Sequence, residues 1–265
     1  MEQVAVQPIR LAGREPRERP TATGLLSVAV GLVVWELLGR FAGWTFLPPL
    51  SEVIAAWREI YRTGALLAEL AASLRSLAFG YGAAAALGVL TGVLMARYAR
   101  LAYFLDPFVD INLSTPNLIY VPVLFALFGI GDETRYIIVF LYAYFIIVVN
   151  TRAGFQAAAP DLDEMAYSFG ASEAEIYRRI RLPAALPLTM AGLRLGISRG
   201  VKGMVNGEMF IALVGLGARL RYYGGAFDIP KVLALLMTII IIAMLLTAAV
   251  QRLDRRLTFW AEMER

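Results

Sequence analysis

Six long apolar stretches, separated by short charged or proline-rich breaks, set the rhythm of this chain. The first covers residues 24–44 and is interrupted late by Glu36 and Arg40, four residues apart and able to pair along a helix. The second, 76–96, carries no charge and is rich in glycine and alanine, a composition suited to close helix packing in lipid. The third, 111–130, contains Ser114-Thr115-Pro116-Asn117 and Pro122. Two prolines predict a bent span with freed carbonyls, tolerated where a helix faces protein or a water-filled path. The fourth, 135–150, is short for a hydrocarbon core of about 30 Å, so its ends must extend into flanking residues. The fifth covers 188–216 and the sixth 232–250. The pattern predicts an all-α polytopic membrane protein with six transmembrane helices.

The breaks have their own grammar. Leu47-Pro48-Pro49-Leu50 ends the first span, and Ser51 is placed to cap a short amphipathic helix. Val53, Ile54, Trp57, Ile60 and Tyr61 share one face of it, Gly64 ends it, and it is expected to lie in the outer interface. Between the fourth and fifth spans, residues 161–187 are charged and short-helical. Asp161 with Glu164 reads as one capping box and Ser172 with Glu175 as a second. Leu162, Met165, Ala166 and Phe169 fall on one helical face. Gly170 stands where a left-handed cap would end the first helix. Ile176 and Ile180 share a face of the second helix, and Pro183 is expected to stop it. Two short helices hinged at a glycine serve no purpose in spanning lipid; they are shaped to dock into a partner. Residues 214–231 read as an outer loop.

Composition agrees with a membrane protein: 59% of residues are hydrophobic and 17% charged, with a mean hydropathy of +0.64, whereas soluble domains carry about a quarter charged residues. The chain has neither cysteine nor histidine. This removes disulfides, thiolate and imidazole metal ligands and the histidine-dependent nucleophile systems. The first 20 residues hold four arginines and no apolar core of a signal peptide, and residues 1–22 read as a cytoplasmic tail. With both termini inside, 14 basic residues fall on the inner side against 8 outside. This bias fixes the orientation, attributes the net charge of +4 to membrane topology rather than nucleic-acid binding, and places 161–187 in the cytoplasm.

The fifth span holds the unusual chemistry. Arg194, Arg199, Lys202, Asn206 and Glu208 lie within it, and Gly192, Gly196 and Gly200 recur at four-residue steps that allow close helix contact. Intramembrane charge normally faces a cavity or a partner. Arg199, Lys202 and Asn206 share a face; Glu208 is turned about 120° away from Lys202. Two readings stay open. Arg194 and Arg199 snorkel to the interface while Lys202 pairs with an acid on another span; or Arg199, Lys202 and Asn206 line a path, joined by Ser114, Thr115, Asn117 and Glu208, and favour an anion.

Glu164-Met165-Ala166, Gly170, Ile180 and Leu182-Pro183 keep every spacing of the EAA motif, and the chain resembles ABC importer permeases. Met165 replaces the middle alanine and suits an apolar face. Weaker cues, among them Leu47-Pro48-Pro49, Leu105-Asp106-Pro107 and Gly215-Leu216-Gly217, resemble the branch for nitrate, sulfonate, taurine, bicarbonate and thiamine-precursor solutes. The resemblance implies a type I importer permease fold in a cell (inner) membrane. It also implies a homodimer of permeases, a separate cytoplasmic ATP-binding subunit docking on Glu164, Met165, Ala166, Gly170, Ile180, Leu182 and Pro183, and an extracytoplasmic solute-binding protein. No GxxxxGK[ST] phosphate loop is present, so ATP and Mg are expected on the partner, with no cofactor held by this chain.

The implied organisation is a tail (1–22), a first helix with the interfacial helix (23–66), the permease domain (67–251) and a C-terminal tail (252–265). A secondary transporter would instead show inverted repeats and coupling carboxylates, for which Glu36 and Glu208 are the candidates. A membrane enzyme would need a pair such as Ser198 and Lys202.

Overall fold

The computed structural model describes residues 22–41, 43, 46–157, 160–211 and 213–259. The expected N-terminal tail lies outside these residues except for Ala22, as do Trp44 and residues 260–265. The described residues form α1 (Ala22–Phe41), α2 (Leu50–Arg62), α3 (Ala65–Arg97), α4 (Ala99–Ser114), α5 (Tyr120–Phe128), α6 (Asp132–Gln156), α7 (Pro160–Ser168), α8 (Glu173–Ile176), α9 (Leu182–Ile211), α10 (Leu216–Gly225) and α11 (Ile229–Leu257). Among the described residues, five helical runs are long and apolar enough to cross a membrane. A bent pair, α4 with the run Asn117–Phe128, makes a sixth crossing if counted as one.

The core is built around α6, which packs against α3 on one side and α9 on the other. Glycines make both seams possible. A Cβ on Gly92 of α3 would lie 2.7 Å from the Val148 carbonyl and 2.7 Å from the Thr151 Cβ of α6. On the other seam, a Cβ on Gly192, Gly196 or Gly203 would collide with Asn150, Ile147 or Tyr142 at 2.6–2.7 Å. Gly200, the third member of the predicted glycine series, lies between the two, 3.3 Å from Leu77 of α3 and 3.7 Å from Val139 of α6. With lipid as apolar as leucine, such close approach is what holds membrane helices together. Gly92→Val is therefore expected to force α3 off α6 at a cost of about 1–3 kcal/mol. Gly82→Val, at a position with nothing within 4 Å, should be neutral; thermal unfolding of the two variants in detergent checks this.

Several predicted boundaries move, each for a local reason. The second crossing begins at Ala65, so α3 runs 33 residues and the expected domain boundary at 66/67 falls inside its first turn. The third span does not run 111–130. It starts at Ala99 and breaks by 93° after Ser114, because Thr115 precedes a proline and is pushed to extended backbone (φ −90°, ψ 134°). Pro122, expected to add a bend, sits in the first turn of α5, where its missing N–H costs nothing. The fourth crossing extends at both ends, as its shortness required. The sixth runs on to Leu257, so the expected tail from 252 is helical at first.

Ser51 does not cap α2; Pro49 holds that position. The Ser51 N–H and hydroxyl instead both donate to Glu36 at 2.9 Å, beside the Glu36–Arg40 pair, and so tie α1 to α2. Gly64, at φ +70°, does turn the chain after α2.

The expected outer loop is largely α10. Its two glycines disguised a helix start. Gly215 adopts φ +100°, and a Cβ there would lie 2.2 Å from the Glu208 carboxyl carbon. Three successive N–H groups at this start are taken by side chains of other helices: Gly215 by Glu69, Leu216 by Ser73 Oγ at 2.9 Å, and Gly217 by Glu208 at 3.1 Å. These are the donors a helix start leaves without intrahelical partners.

Candidate functional site

The charged segment folds as two short helices set at an elbow. α7 starts at Pro160, so Asp161 lies inside the helix rather than capping it; its side chain falls outside the described residues. α7 ends in a Schellman turn: the Gly170 N–H donates to Tyr167 O at 2.9 Å and the Ala171 N–H to Ala166 O at 3.0 Å. Gly170 has φ +82°, the conformation such a turn demands. The second capping box is present as expected. Ser172 Oγ accepts from the Glu175 N–H, and the Ser172 N–H donates to the Glu175 carboxylate at 3.0 Å.

Pro183 does not stop the second helix. After Ile176 the backbone widens into a π-turn, Tyr177–Arg181, and the Leu182 N–H reaches back five residues to Tyr177 O. Pro183, which has no N–H to give, follows directly in α9. The docking helix and the fifth span thus form one continuous run, Glu173–Phe210, and the fifth span begins at Leu182 rather than 188.

Around the elbow the side chains divide. Leu162, Met165, Tyr167 and Phe169 are exposed, Phe169 at 84%, while Ile176 is buried. Glu164 is exposed, Ala166, Ile180 and Pro183 are half-buried, and Leu182 is exposed. A cleft of about 410 Å³ opens between the two helices, lined by Ala166, Phe169, Gly170, Ile176 and Ile180. The elbow is moored to the bundle by Arg97–Glu173 at 2.8 Å and by Phe155 stacked on Tyr177 at 5.6 Å.

The fifth-span residues separate into two groups. Arg194 lies 3.7 Å from Asp254 on α11. Asn206 donates to the Tyr142 hydroxyl at 3.1 Å. Arg199 is half-buried and Lys202 exposed, and among the described residues neither has an ion pair, so the partner acid expected for Lys202 is not found there. Ser198 is exposed too and makes no hydrogen bond to Lys202, as a serine–lysine pair would require. Ser114, Thr115 and Asn117 sit at the break between α4 and α5, where Thr115 Oγ1 donates to Ile111 O at 2.7 Å.

Glu208 departs from the expected path. It is fully buried, accepts from Ser73 Oγ at 2.8 Å and the Gly217 N–H at 3.1 Å, and faces Arg135 at 3.4 Å. It is a structural node joining α3, α6, α9 and α10, not a lining residue. Arg135, at the start of the fourth apolar stretch and counted among the 8 basic residues on the outer side, is itself buried; it holds Asp132 at 2.8 Å and Ala72 O at 2.9 Å. Its one sequence signal is an arginine entering an apolar run three residues after an aspartate; nothing local links it to Glu208.

A bundle of this kind, with a hinged helix pair leading into a long glycine-seamed span, defines the helical core of a transport permease. Residues 84–259 match the family described as the binding-protein-dependent transport system inner membrane component. The taurine transport system permease protein of Escherichia coli is 31% identical, covering 95% of this chain and 94% of its own. The formylaminopyrimidine transport permease protein of Halalkalibacterium halodurans is 27% identical, covering 88% and 93%. The inward-facing MetNI methionine ABC transporter shares the fold, with a TM-score of 0.58 and 22% identity over 74% of this chain and 95% of that one.

The chain belongs to the family of binding-protein-dependent transport system inner membrane components. It is accordingly a multi-pass permease of an ABC importer.

Proposed function

We propose that this permease pairs with a second copy of itself to form the translocation path, docks a separate cytoplasmic ATPase on α7, the Gly170 turn and α8, and carries a small anion. Both termini then lie on the cytoplasmic side, ATP and Mg bind on the partner, and an extracytoplasmic binding protein delivers the solute. The observation that carries the docking reading is the exposed apolar face of Leu162, Met165 and Phe169 beside the exposed Glu164, all at the Gly170 elbow. Motion of a docked ATPase reaches the path because α8 continues into α9 without a joint.

The solute class rests on Arg199 and Lys202. A charge in the middle of a 30-residue apolar helix is costly in lipid. Two cations with no acid beside them among the described residues are best accommodated on a water-filled path that an anion crosses. Relatives named for taurine and for formylaminopyrimidine leave the solute itself open.

The test is ATPase retention by tagged permease. Wild type should hold the ATPase through purification, and Gly170→Leu should lose it while reaching normal membrane levels. An added Cβ meets nothing within 4 Å there, so the first cost is the left-handed backbone, about 1–2 kcal/mol. Unchanged retention and uptake in Gly170→Leu would remove the docking reading.

A further inference from the structure

The two docking helices are joined twice, once by the chain and once by charge. Arg181, the last residue of the π-turn, donates from Nε at 2.9 Å and Nη2 at 2.7 Å to one oxygen of Asp163 in α7. The two residues are 18 apart in sequence and lie on opposite arms of the Gly170 elbow. Asp163 is largely buried, and its second oxygen is out of water with no donor. Among the described residues, then, the carboxylate depends on Arg181 alone for compensation.

We infer that the Asp163–Arg181 pair is a positioning clamp for energy coupling: it fixes the angle between α7 and the α8–α9 run so that the two arms move as one body. The geometry gives the reason. α8 is continuous with the fifth span, whereas among the described residues α7 is joined to that run by the turn at 169–172 and, as the one side-chain hydrogen-bonded link, by this pair. A glycine turn alone is a hinge, and a force delivered to the exposed face of α7 would be absorbed by bending at Gly170. Two N–H groups of one planar guanidinium on one oxygen restrict both distance and direction. The position within the π-turn adds to this, because an inserted residue reorients the side chains around it, and such turns recur where helices do work. The ion pairs Arg97–Glu173 and Arg152–Asp106 moor α8 and α6 to other helices but do not touch α7.

The inference rests on the docking reading above, and its test separates the two. Because the chain has no cysteine, spin labels placed at Tyr167→Cys and Arg178→Cys report the elbow by electron–electron distance measurement in lipid nanodiscs, with labelled chains diluted into unlabelled ones so that distances between copies do not contribute. Both positions are exposed.

With the native pair the distance distribution should be narrow. Asp163→Asn and Arg181→Gln should each broaden it at least twofold, and the double exchange Asp163→Arg with Arg181→Asp should narrow it again. Arg181→Gln should broaden more, since it strands a largely buried carboxylate, whereas Asp163→Asn leaves a half-exposed guanidinium that water can reach. In the complex with the ATPase, both single variants should retain the partner and keep basal ATP hydrolysis within twofold. Uptake of ethanesulfonate, a simple anionic probe, per ATP hydrolysed should fall at least fivefold and return in the double exchange.

Unchanged distributions in both single variants would overturn the clamp, as would broadening that the exchange fails to reverse. Failure of wild-type permease to retain the ATPase would remove the docking reading instead, and the elbow distances would still decide whether the clamp exists.

Discussion

Arg135→Met is expected to destabilise the chain by about 3–5 kcal/mol, the usual cost of removing one member of a buried ion pair. Native proteins hold only about 5–15 kcal/mol in reserve, so most of the variant should be lost before it reaches the membrane in folded form. The loss has several parts. Glu208 would keep two donors, Ser73 and the Gly217 N–H, but no counter-charge while fully buried. The Ala72 carbonyl would lose its side-chain donor. Asp132 would be the least affected, because Arg75 also holds it.

Glu208→Gln should be milder, about 1–3 kcal/mol. The amide fills the same space and its oxygen can still accept from Ser73 and Gly217. The double variant Arg135→Met with Glu208→Gln should be more stable than Arg135→Met alone, since no buried charge is stranded. Chemical unfolding of purified protein in mild detergent gives the ordering. Equal stability of Arg135→Met and wild type would show that the buried node does not hold the four helices together.

Lys202→Glu is expected to slow uptake at least a hundredfold, and Lys202→Met at least tenfold, with basal ATP hydrolysis retained. A unit charge about 8 Å from a passing anion at an effective permittivity of 20 contributes about 2 kcal/mol, or roughly thirtyfold in rate. Reversal of the sign doubles the effect, and water in the path reduces it. Neither variant should alter folding, because Lys202 is exposed and makes no ion pair among the described residues. Uptake by reconstituted transporter against an anion panel checks the order. Wild-type rates in both variants, or a solute that proves neutral or cationic, would remove the anion path and leave the snorkelling account.

The sequence carried some features of this molecule plainly and hid others, and the division follows the range of the interactions. The capping box of Ser172 and Glu175, the left-handed Gly170 and the Gly64 turn are local, set by residues within four positions, and they stand as read. The glycine steps on the fifth span announced close packing, but not that Gly192 and Gly196 press on α6 while Gly200 lies between α3 and α6. Pro183 misled because a proline normally ends a helix; a π-turn five residues long absorbed it. The Gly215-Leu216-Gly217 run looked like loop because the partners for its N–H groups, Glu69 and Ser73, lie about 145 residues earlier in the chain. Glu208 looked like a path residue for the same reason: its counter-ion sits on another helix. Long-range polar pairing leaves no periodic trace, so Arg135 and the Asp163–Arg181 pair became visible only in three dimensions.

The π-turn at Tyr177–Arg181 also sets an angular phase. The run Glu173–Phe210 is 38 residues, about 57 Å at 1.5 Å per residue, and therefore longer than a hydrocarbon core of about 30 Å. Along such a rod each residue adds about 100° of rotation, and the wide turn holds one more residue than an ordinary helical turn would. Its size thus fixes the azimuth of the docking helix relative to Arg199 and Lys202. One residue gained or lost in this turn would leave both ends intact and point them in directions about 100° apart from the present ones, so that a partner gripping one end would twist the other away from the path.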